Sequence, residues 1–107
     1  MHAPTPYVLV LCSCPDDVAA AIARSLVEKR IAACVNILPR GQSIYRWQGE
    51  VTQDSETLLM IKTSRACLER LEQQVRETHP YEVPELLAMD IAAGGADYLD
   101  WLADNVS

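Results

Sequence analysis

Apolar residues fall along this chain in runs that alternate between strand and helix spacing. Tyr7 to Cys14 is apolar at nearly every position, the pattern of a strand covered on both faces. From Asp16 or Asp17, acids suited to the positive end of a helix, Val18, Ile22 and Leu26 join Ala19, Ala23 and Val27 in a broad helical stripe. Lys29 and Arg30 close that helix at the end that favours cations. Ala33 to Trp47 reads as a long strand bent or bulged at Pro39-Arg40-Gly41, and Gln48-Gly49 as a hairpin turn. Glu50 to Thr63 returns as a third strand, densest at Leu58-Leu59-Met60-Ile61. Ser64 is placed to cap a second helix in which Cys67, Leu68, Leu71 and Val75 recur until His79, where the following proline disfavours further helix. Leu86 to Ala92 is a fourth strand. Gly94-Gly95 breaks the chain before a short terminal helix marked by Tyr98, Leu99, Leu102 and Val106. Met1 to Pro6, with two prolines and no periodicity, reads as a loose leader, so residues 7–107 form the single domain.

The order β-α-β-β-α-β plus a helix predicts an α+β, ferredoxin-like antiparallel sheet with both main helices on one face. Such a layout leaves the second face open to water. Yet Tyr7, Leu9 and Leu11 fall on one face of the first strand and Val8, Val10 and Cys12 on the other, so the helix-free face needs a cover. Identical subunits are the simplest one.

A length of 107 residues fits one domain with a core large enough to stand without cross-links. The 15 acidic against 9 basic residues, net charge −6, argue against nucleic acid or an anionic membrane surface as partner. The apolar run Val8 to Cys12 is too short for a signal core or a membrane span. Four sparse cysteines, Cys12, Cys14, Cys34 and Cys67, indicate a cytoplasmic protein with reduced thiols.

Those cysteines and the two histidines are also the soft metal donors, suited to copper. Strand directions put the end of the first strand and the end of the second helix at one edge of the subunit, which makes Cys12, Cys14 and His79 neighbours. Cys34 falls at the opposite edge. Cys12 and Cys14 share a strand face with α-carbons roughly 6.6 Å apart and parallel side-chain bonds, which disfavours a disulfide between them. Core packing competes with ligation for both, and a helix-end role competes with it for His79. Cys34 and Cys67 read as structural, and His2 as solvated. Lys62 interrupts an apolar strand and, beside Tyr45, Trp47, Tyr81 and Trp101, could line an intersubunit cleft, with Lys62 and Tyr81 the leading candidates; packing in the core between subunits is the competing reading for the rings. Glu82 and Glu85 read as solvated charge. No glycine-rich phosphate loop, His-x-x-x-His, Cys-x-x-Cys or serine with a nearby histidine points to an enzyme, and no Asp-rich loop to a calcium site.

Several spaced motifs together resemble the CutA family of divalent-cation tolerance proteins: Cys34-Val35-Asn36-Ile37 with Pro39, Gly41, Ser43, Tyr45, Trp47 and Gly49; Ile61-Lys62-Thr63; His79-Pro80-Tyr81-Glu82-Val83-Pro84-Glu85; and Tyr98-Leu99 with Trp101. The resemblance runs from Val8 to Leu102. It implies a ferredoxin-like subunit in a tight homotrimer, similar in topology to PII-type signalling proteins, and a link to tolerance of copper and other divalent cations. Two functions follow: a protein that binds copper or a related cation, or a PII-like trimeric regulator or scaffold whose intersubunit clefts bind a small molecule or protein. For copper, the resemblance implies ligands at the strand cysteine matching Cys12 and at histidines before the Pro-Tyr pair. Only His79 matches; Thr78 stands where some members carry a second histidine.

Overall fold

The computed structural model describes residues 1–107. Four strands, β1 (Tyr7–Cys14), β2 (Cys34–Trp47), β3 (Glu50–Ser64) and β4 (Leu87–Asp90), form one antiparallel sheet in the order β2-β3-β1-β4. Helices α1 (Ala19–Glu28) and α2 (Leu68–Thr78) join the strands, and α3 (Ala96–Asp104) follows β4. This is the expected α+β, ferredoxin-like arrangement.

Side-chain alternation along β1 sets the core. Val8, Val10, Cys12 and Cys14 are buried together with Ile22 and Leu26 of α1, Leu71 and Val75 of α2, and Leu59 and Ile61 of β3. Tyr7, Leu9, Leu11 and Ser13 point the other way and are only half-buried. One face of β1 is thus covered within the subunit, where its apolar run alone predicts two. Leu58, Met60 and Lys62 of β3 and Leu87 and Met89 of β4 lie on that same helix-free face by register.

Contacts with other elements accompany the shifts in the helix boundaries. α1 begins at Ala19, later than its acids predict, because the Asp16 carboxylate is drawn to β3, accepting from Thr57 Oγ1 at 2.5 Å and Ser55 Oγ at 3.3 Å. At its other end Lys29 Nζ reaches Gln74 Oε1 of α2 at 3.0 Å, and Arg30 leaves the helix with φ of 60°. A short 3₁₀ turn, Arg65–Cys67, precedes α2, and Ser64 turns its hydroxyl to Cys67 Sγ instead of capping. β4 is shorter than expected because it pairs only with Val8–Leu11 of β1. Within residues 1–6, His2 and Gly94 exchange backbone bonds of 2.9 and 3.1 Å, and Thr5 Oγ1 donates to Ile91 O at 2.6 Å.

The expected break in β2 is a bulge. Leu38 pairs with Leu58 but Gly41 with Glu56, so one extra residue is accommodated, with Arg40 at φ 62°. A Cβ on Gly41 would stand 2.9 Å from the Glu56 carbonyl oxygen, so only glycine permits this approach. Beyond the bulge, β2 and β3 run on past Cys14, the last β1 residue paired with β3, as a two-stranded arm. The arm closes at Gln48-Gly49, whose φ values of 50° and 85° suit a tight hairpin turn. It gives the molecule its long dimension of 45 Å and exposes Ile44, Trp47 and Val51.

Candidate functional site

Two places in this fold collect chemically competent side chains, and they differ in access. At the upper edge of β1, Cys12 and Cys14 are fully buried on the helix-facing side. Burial pushes the Cys12 thiol up to about 12, with Cys14, Glu85 and Glu56 adding to the rise. Burial raises Cys14 to about 11, helped by Glu56, Asp16 and Asp17. Both sulfurs therefore stay protonated at neutral pH in this conformation, whereas a metal needs thiolate.

His79 arrives at the same edge, as strand direction predicts, since its Nε2–H donates to Ser13 O at 2.8 Å, between the two cysteines. Its Nδ1 accepts from the Tyr81 N–H at 3.0 Å. Both ring nitrogens are thus committed to backbone, and the ring ties the end of α2 to the end of β1. The three residues are neighbours in the fold, but no group of three or more His, Cys, Asp or Glu is arranged to hold a metal ion. Cys34 lies at the other end of the sheet, opposite Lys62. Cys67 is buried in the 3₁₀ turn, and His2 is exposed.

The second place is a pocket of about 730 Å³ on the helix-free face, between the β2–β3 arm and the loop from Pro80 to Glu85. Its walls include Tyr45, Trp47 and Tyr81, and it holds four carboxylates, Asp54, Glu56, Glu82 and Glu85, with no cation. Glu56 is buried and accepts from Tyr81 Oη at 2.9 Å; Tyr45 Oη donates to Asp54, and Ser13 Oγ to Glu85 at 3.3 Å. Desolvation, followed by the bond to Glu56, pushes Tyr81 up to about 12, and the bond to Asp54 raises Tyr45. Glu82 and Glu85 are exposed, as expected of solvated charge, and line this pocket.

Asp54 and Glu56 escape sequence reading because their role depends on the bulge. The extra residue shifts the β2 alternation by one, so Ser43, Tyr45 and Trp47, opposite Asp54, Thr52 and Glu50, share the helix-free face with Glu56. The Pro39-Arg40-Gly41 break was the available signal. Lys62 and Tyr81 are not brought together within one subunit. Tyr81 bonds Glu56, and Lys62 stands six residues further along β3, about 20 Å away by strand rise. Lys62 Nζ instead lies 3.4 Å from Tyr98 Oη and 5.6 Å from that ring's centre, beside Trp101.

No helix is long and apolar enough to cross a membrane. The family profile described as CutA1 divalent ion tolerance protein matches residues 8–105. The Divalent-cation tolerance protein CutA of Thermus thermophilus is 52% identical over 98 residues, covering 91% of this chain and 95% of that protein. A solved structure of the divalent cation tolerance protein (Cut A1) from Thermus thermophilus superposes with a TM-score of 0.92 at 50% identity, covering 94% of this chain and 99% of that one. Human Protein CutA is 48% identical over 91 residues, 84% of this chain but only 51% of that longer protein. With its fold, its spaced motifs and nearly its whole length shared, the chain belongs to the CutA family of divalent-cation tolerance proteins.

Proposed function

We propose that this protein acts in divalent-cation tolerance as a homotrimer whose intersubunit clefts bind a small molecule or protein, with effects on metal following indirectly. The observation that carries the reading is the pocket around Tyr81 and Glu56, which opens on the uncovered apolar face while the thiols are sealed beneath the helices. Aromatic walls with a few oriented polar groups are the ordinary make-up of a ligand site. Closing copies of the chain over Leu9, Leu11 and Met60 would wall the pocket from a second side. Four free thiols suit a reducing, cytoplasmic setting.

One observation favours direct copper binding as a second reading: the His79 imidazole is held on the carbonyl of Ser13, the residue between Cys12 and Cys14. Ligation would require that imidazole to leave its two backbone partners and at least one thiol to ionise. The test is reaction of the folded protein with a small thiol reagent, alongside titration with Cu(I). The proposed reading predicts Cys12 and Cys14 inert and no stoichiometric copper bound. Rapid labelling of Cys12, with copper protecting it and Cys12→Ser abolishing the binding, would replace this reading with the metal site.

A further inference from the structure

Lys62 and the acidic pocket are an unmatched pair of charges on one sheet face. Of the nine Lys and Arg side chains, seven bond a carboxylate, carbonyl or amide oxygen elsewhere on the chain. Arg40 stands exposed in the bulge. Lys62 alone projects from the helix-free face of the three inner ladder positions, with Leu9 and Cys34 opposite it, and its amine reaches only the neutral hydroxyl of Tyr98. Any partner that covers the apolar face desolvates this cation, and a desolvated ammonium needs an anion. On the same face Glu56 stands about 20 Å away along β3, with Asp54 beyond it, too far for Lys62 of the same chain to reach.

We infer that the pocket is a composite site, completed by Lys62 of the partner subunit, whose amine enters beside Glu56, Asp54 and Glu85. The inference rests on the assembly proposed above and assigns it a direction. A cationic knob at one end of a face and an acidic socket at the other make a head-to-tail contact, which yields a closed ring where the rotation permits. Tyr98 and Trp101, each 44% exposed beside Lys62, supply the knob's apolar collar, and Tyr45, Trp47 and Tyr81 supply the socket's wall. The partner's Lys62 offsets part of the charge of four carboxylates. It also leaves a cleft with a cation on one wall and tyrosines on the other, which suits a polar ligand with both acidic and hydrogen-bonding groups.

Zero-length carbodiimide coupling of lysine to carboxylate tests this directly, with peptides identified by mass spectrometry. The separation within one chain excludes an internal product, so a Lys62 link to Asp54 or Glu56 must appear in a dimer-sized band on a denaturing gel. In Lys62→Met, which keeps the apolar stem, that band should vanish. Its subunit dissociation constant should rise at least ~30-fold while far-UV circular dichroism is retained. An assembled protein with no such link, whose Lys62→Met variant associates like the parent, overturns the composite site and leaves the assembly standing. A protein that is monomeric before coupling overturns both.

Discussion

Leu59 and Met60 are adjacent in sequence and opposite in consequence, which makes them a sharp probe of what the two sheet faces do. Leu59 is wholly buried among the core residues of β1, α1 and α2. Truncating it to alanine removes three carbons from a packed site and costs about 2–5 kcal/mol. That is a large share of the roughly 5–15 kcal/mol expected for a domain of this size, and at about 4–8 °C per kcal/mol it lowers the melting temperature by roughly 8–40 °C. Met60 is half-buried on the helix-free face, opposite Leu11 and Asn36. In a lone subunit Met60→Asp leaves its carboxylate in water, at a cost of about 1 kcal/mol or less. If copies of the chain cover that face, the same carboxylate is buried unpaired at every contact, at several kcal/mol each. Sedimentation velocity and thermal melts followed by circular dichroism separate the cases. Leu59→Ala should keep the parent mass and melt early; Met60→Asp should dissociate while keeping its secondary structure. A Met60→Asp protein that sediments like the parent would refute the claim that this face is an interface.

Two further outcomes follow from local structure. Because burial raises Cys12 to about 12 and Cys14 to about 11, above their ordinary value of 9.0, the unfolded chain loses those protons first as pH rises. Their stabilising contribution is full below about pH 9 and falls from there towards pH 11–12, by at most about 1.4 kcal/mol per pH unit for each thiol. Urea melts across that range should show the decline lessened in Cys12→Ala. Gly41→Ala, which sets a methyl 2.9 Å from the Glu56 carbonyl oxygen, should cost about 1–3 kcal/mol in thermal or urea melts, and a melt unchanged from the parent would show that the bulge relaxes freely.

Much of this fold is legible in the sequence because its signals are local. Alternation in β1, the stripe of α1 and the proline after His79 each announce an element within a few residues. Strand direction alone places His79 beside Ser13 and Cys34 at the far end. What stays hidden depends on distant partners. Asp16 is claimed by Thr57 across 41 positions and so does not start α1, and His2 is held by Gly94. The pocket is hidden for a related reason. Pro39 to Gly41 announces a bend, but only the register shows that the bend turns Tyr45 and Trp47 to the face of Glu56. A cysteine pattern that suits copper equally suits a core, and only packing settles which face those thiols point to.

The central claim is that identical chains cover the helix-free face and so create the cleft around Tyr81. Multi-angle light scattering on the eluting protein at micromolar concentration tests it most directly. The mass should be three times the 11.9 kDa of one chain. A mass of one chain would contradict the account, leaving the apolar face uncovered and the cleft unmade.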